Sequence, residues 1–136
     1  MPTRPRIERV VAARARAARE VAAAVAAAGR IVLTTHVNAD GDGIGSEIAL
    51  VHLLLALGKQ VAIANPTPIP ERFAFLREPV REHDRTADAA KAIRDADLFL
   101  NVSGCCWLRD AYRSARVAAY VDTDPCYSQA KLAAAD

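Results

Sequence analysis

Cysteine is scarce in this chain of 136 residues: there are three, Cys105, Cys106 and Cys126. Two are adjacent, where a mutual bond would be strained. No C-x-x-C spacing occurs, so neither a disulfide framework nor a zinc site is indicated. A reducing cytoplasm is the expected setting. Long apolar runs are also missing. The longest, "IALVHLLLALG", falls short of the roughly 18 residues that a bilayer span needs, so no membrane partner is expected. A strong net charge is absent too. The total is +2, which does not imply a broad nucleic-acid surface. Residues 1–30 hold seven arginines and two glutamates but no serine. That lack of serine argues against a transit peptide, and no secretory pattern of charged, apolar and small-residue regions is present.

What is present is alanine and aliphatic residues. Hydrophobic residues make up 52% of the chain, enough for a packed core in one domain. "RIERVVAARARAAREVAAAVAAAG" reads as a helix by alanine content and apolar spacing, with Gly29 placed to stop it. "RIVLTTH" and "QVAIAN" read as strands, and so do "DLFLNVS" and "RVAAYVD". "GSEIALVHLLLALGK" reads as an apolar helix closed by Gly58. "ERFAFL" and "TADAAKAIRDA" read as shorter helices. Such alternation predicts an α/β fold, a parallel sheet with helices on both faces. There is no internal repeat and no low-complexity linker.

Glycine is sparse as well, six in all, yet three of them fall within "TTHVNADGDGIGSE". His36 ends the first predicted strand, and Asp40 and Asp42 lie in the turn after it. Parallel α/β sheets present ligands beyond the carboxyl ends of their strands. An imidazole and two carboxylates brought together there suit manganese, magnesium or zinc. Gly41 and Gly43 supply tight-loop backbone angles. Gly45 and Ser46 open the next helix, whose free N–H groups attract phosphate. The plainer reading is a capped structural turn, since Asp-Gly repeats are ordinary turn chemistry. A dinucleotide site is not indicated, because "GDGIG" is not G-x-G-x-x-G and Asn65, not an acid, ends the second strand.

"TTHVNADGDGIGSEIAL" resembles the first motif of the DHH phosphoesterase family. "NPTPIPERFAFL" resembles a segment of its oligoribonuclease/3′-phosphoadenosine-5′-phosphate phosphatase branch. The likeness runs from about Ile31 to Leu76. It implies a manganese-dependent phosphodiesterase or phosphatase with two Mn2+ ions, magnesium being an alternative. Its substrates would be short oligonucleotides or small phosphonucleotides. By position, His36 and Asp40 would hold one ion and Asp42 the other. Two such ions activate a bridging water and neutralise phosphate charge, so no nucleophilic side chain is needed.

The later motifs depart from the family pattern. The resemblance implies an aspartate at the end of a later strand, followed six positions on by arginine. Arg109 matches the arginine, but Ser103 stands in place of the aspartate. It also implies Asp-His-His before proline. Asp122 and Pro125 match, whereas Thr123 and Asp124 replace the histidines; Asp122 and Asp124 could still offer oxygen to a metal. Residues 1–136 thus read as one incomplete DHH-type domain without the C-terminal substrate-binding domain. Three readings stay open: an active phosphoesterase, a remnant that binds nucleotide or metal without turnover, and a purely structural α/β domain. A homodimer is compatible with each.

The remaining candidates have plainer roles. His52 reads as a packed or edge-facing helix residue, and His83 and the charges of "REPVREHDR" as a solvated turn. Trp107 reads as core or interface packing. Asn65 reads as a turn residue, while Asn38, like Ser46, reads equally as a turn or cap residue and as a contact to a phosphate or a metal-bound water.

Overall fold

The computed structural model describes residues 4–103 and 110–122. Helix α1 (Arg4–Ala27) leads into strand β1 (Arg30–Thr34), helix α2 (Gly41–Ala56) and strand β2 (Gln60–Ile63). A run of short 3-10 turns follows, enclosing α3 (Ala74–Arg77) and then α4 (Ala89–Arg94). Strand β3 (Leu98–Val102), a 3-10 turn (Asp110–Ser114) and strand β4 (Val117–Val121) complete the described chain. All four strands are parallel, in the order β2-β1-β3-β4. The α/β class, the parallel sheet and the helices expected on its two faces are all present.

The central strands β1 and β3 are β-branched and leucine-rich because both of their faces are covered. On one face Ile31, Leu33, Leu98 and Leu100 meet Val51 and Leu54 of α2, with Val21 and Val25 of α1 alongside. On the other, Val32 and Phe99 meet Ile93 of α4, Ala96 and Tyr112. The Phe99 and Tyr112 rings stack with centroids 5.5 Å apart. No described helix is long and apolar enough to cross a membrane.

One of the two long helices ends differently from the sequence expectation. Gly29 does not end α1 through a left-handed turn. Its N–H, with that of Arg30, is instead taken by the Asp97 carboxylate at 3.1 and 2.9 Å. The last carbonyls of α1 are satisfied by Lys59, whose Nζ donates to Ala26 and Ala28, each at 2.8 Å. Gly58 does close α2 as expected, at φ +73°. Just beyond it, the Lys59 N–H reaches back to the Leu54 carbonyl at 3.0 Å.

The outer side of β2 is occupied. The Arg85 N–H donates to the Ile63 carbonyl at 2.7 Å, and His83 Nδ1 donates to the Val61 carbonyl at 3.2 Å. His83 is therefore half-buried against the sheet and not the solvated turn residue that its charged neighbours suggested. His52, by contrast, is exposed on α2.

Candidate metal and phosphate site at the strand ends

The chain leaves β1 to one side to reach β2, then crosses back to β3 on the other side. The carboxyl ends of β1 and β3 thus flank the point where the strand order reverses, which is where α/β sheets place ligands. His36 and Ser103 sit at those two ends. The Thr35 and Ser103 hydroxyls meet at 2.8 Å, so the two strand ends are in contact. Both connections carry non-glycine residues in the left-handed region, Asn38 at φ 53° and Ser103 at φ 68°. Such strain is held in place only by its surroundings and concentrates at functional sites. Asn38 is held by its N–H, which donates to Thr67 Oγ1 at 2.9 Å.

Helix α2 begins a turn earlier than expected. Asp40 is its N-cap, with Oδ1 accepting from the Gly43 N–H at 3.0 Å. Gly41 and Gly43 therefore lie inside the helix, and Gly45 and Ser46 fall in its second turn. The N–H groups left free for an anion belong to the first turn. Gly43 is required by close approach and not by a turn. A Cβ there would lie 2.5 Å from Thr35 Oγ1 and 3.3 Å from His36 Nε2.

His36 and Asp40 are brought together. His36 Nδ1 lies 3.0 Å from the Val37 carbonyl, which can only accept, so this nitrogen carries a proton. Nε2 then faces Asp40 Oδ1 at 3.3 Å. In the neutral imidazole Nε2 has a lone pair and no proton, and a carboxylate oxygen likewise offers only electrons. A proton or a cation between them satisfies both. The Gly43 N–H, aided by His36, holds the Asp40 pKa below the ordinary carboxylate value. This keeps it ionised and ready to ligate.

The rest of the expected set is more dispersed. Asp42 is exposed in the first turn of α2. Asp122 follows directly on β4, whose Val121 carbonyl accepts from the Ser103 N–H at 2.8 Å. Among the described residues, no three His, Cys, Asp or Glu side chains converge as a metal site. Asp124, Thr123 and Pro125 lie outside the described residues, as do Arg109, Trp107 and the three cysteines.

Two residues stand behind the site: Asn65, whose sequence context suggests a turn, and Glu47, not singled out in the sequence analysis. Asn65 is buried, and its Oδ1 accepts from the Thr35 N–H at 2.8 Å. Its Nδ2 donates to Glu47 Oε2 at 2.9 Å. Glu47 is fully buried. A signal for it existed: Glu47 falls on the same helical stripe as Ile44, Val51 and Leu54, where an apolar residue belongs. Burial pushes its pKa up to about 8.

No family profile matches the chain, and no curated protein matches it. A solved structure does: an exopolyphosphatase-related protein from Bacteroides fragilis, with TM-score 0.68 and 22% identity. The match covers 78% of this chain and 34% of that one. The chain therefore spans about a third of the length of the protein it resembles, and shares its α/β fold.

Proposed function

We propose that the chain is a metal-dependent phosphoesterase of the DHH type, hydrolysing phosphate esters of short oligonucleotides or small phosphonucleotides. The observation that carries this reading is the His36–Asp40 pair, an imidazole nitrogen and a carboxylate oxygen 3.3 Å apart at the strand ends. The description of the fold neighbour as exopolyphosphatase-related supports phosphate chemistry. The donor types fit a divalent ion, Mn2+ or Mg2+, with His36 and Asp40 holding it. Such an ion, when bound, supplies charge neutralisation at the phosphate oxygens and a more acidic attacking water. Asp42 would serve a second ion, with Asp122 and Asp124 as further oxygen ligands. The first turn of α2, followed by Gly45 and Ser46, would orient the phosphate through backbone N–H groups and the macrodipole. A reducing cytoplasm and a homodimer belong to the same reading.

A second reading has an observation of its own. At the end of β3 a neutral hydroxyl, Ser103, touches Thr35 where the first reading wants a carboxylate. A chain so altered would bind nucleotide or metal without turnover.

Calorimetry with manganese alone, on the wild type and Asp40→Asn, tests the site. The expected result is binding that weakens by at least about tenfold in the variant. Manganese-dependent release of mononucleotide from a short oligonucleotide, lost in Asp42→Ala, supports the enzyme. Nucleotide binding without release supports the second reading. A chain that binds neither manganese nor nucleotide overturns both.

A further inference from the structure

Glu47 is an expensive residue for its position. It occupies a helix stripe whose other members are Ile44, Val51 and Leu54, all buried. A leucine would fill that place with no polar group to desolvate. Among the described residues only one of its oxygens is used: Oε2 accepts from Asn65, while Oε1 has no hydrogen-bond partner there. A buried polar atom without a partner is destabilising. Core packing does not explain such a choice.

The geometry around Asn65 does. The Thr35 N–H is a donor and needs the oxygen end of the Asn65 amide, which it finds at 2.8 Å. That orientation turns the NH2 end toward α2, where only an acceptor can meet it. Glu47 is that acceptor, at 2.9 Å. The Asn65 N–H is itself fixed by Thr86 Oγ1 at 3.2 Å. On the far side of Thr35, its hydroxyl meets Ser103. One hydrogen-bonded series thus runs from α2 across the end of β2 to the ends of β1 and β3.

We infer that Glu47 is a positioning residue for His36: through Asn65 it fixes the backbone of Thr35, the residue from which His36 projects into the crevice. The metal-binding part of this inference rests on the phosphoesterase reading; the backbone part does not. Removing the acceptor frees the Asn65 amide to rotate, and the Thr35 N–H loses the Asn65 oxygen. His36 then loses its fixed relation to Asp40, which is held separately by the Gly43 N–H. The carboxyl acts here as an acceptor, so a neutral amide at the same place keeps the function.

The test uses three variants and two readouts. Glu47→Leu puts an apolar side chain of similar size on an apolar stripe and is expected to fold. Glu47→Gln keeps an acceptor for Asn65. Asn65→Ala cuts the series from its other end. Amide hydrogen exchange at Thr35, followed by NMR without metal, is expected to quicken by about tenfold or more in Glu47→Leu and Asn65→Ala. The interior amides of β1 stay protected, and Glu47→Gln stays within about twofold of the wild type. Manganese affinity is expected to fall about tenfold in the first two and to be kept in the third. Unchanged exchange at Thr35, or a rise shared by all of β1, overturns the inference, because a merely structural role loosens the strand as a whole. A wild-type chain that binds no manganese overturns the phosphoesterase reading instead, and the Thr35 amide still decides the role of Glu47.

Discussion

The two long helices read alike in the sequence and behave differently in the fold. α2 is capped by Asp40, closed at Gly58 and buried along Ile44, Glu47, Val51 and Leu54. α1 is longer, at 24 residues, yet in residues 8–27 only Val21, Ala24 and Val25 are even partly buried. Val10 and Val11 stay 45% and 59% exposed. α1 is helical because alanine favours the helix wherever it stands. α2 carries three glycines in its first five residues and is helical because its cap and its packing overcome that handicap. Propensity makes the first helix, and tertiary contact makes the second. Only the second can hold a side chain at a fixed place beside a site.

The largest expected effect lies in α2. In the unfolded chain Glu47 ionises near 4.5, and burial raises that to about 8 in the fold. Between those values the folded state keeps a proton that the unfolded state has released. Stability therefore falls as pH rises through that window and levels off above it. The contribution approaches about 1.4 kcal/mol per pH unit, on the order of 5 kcal/mol in all. Denaturant melts of the wild type and Glu47→Gln from about pH 5 to about pH 9 isolate it. The difference between the two should grow in favour of the glutamine as pH rises.

Next comes a pair of glycines on that helix. Gly43→Ala drives a methyl against Thr35 Oγ1 and should cost about 2–3 kcal/mol. Gly45→Ala meets nothing within 4 Å among the described residues and should stabilise by about 0.5–1 kcal/mol. Equal melting temperatures for the two would contradict the close approach at Gly43. Removing the cap with Asp40→Ala should cost about 1 kcal/mol, read by the same melts. Smallest of all, Val11→Ala in α1 should change stability by less than about 0.5 kcal/mol. A loss near that of a core valine would mean that α1 is packed after all.

The strands were legible because residues such as Ile31 to Leu33 and Leu98 to Leu100 are buried on both faces and must be apolar throughout. The place of the crevice followed from the alternation of elements, and His36 and Asp40 do meet there. The start of α2 was read too late, because glycines suggest a turn when composition is the only guide. Gly43 is a helix residue chosen for what lies across from it, and that neighbour is set by tertiary structure. Asn65 was hidden for the same reason. An asparagine before a proline is common turn chemistry, and nothing local says that it is buried between Thr35 and Glu47. Glu47 left a trace, one acid on an apolar stripe, but its partner lies 18 positions away.

One feature of the sheet concerns its outer edge at β2. Successive outward carbonyls of β2, at Val61 and Ile63, are already taken by His83 and by the Arg85 N–H. A strand approaching from that side would find its ladder of acceptors spent. β2 is thus a finished border, secured by the chain's own next segment. Strand pairing at this border would have to displace both of those hydrogen bonds.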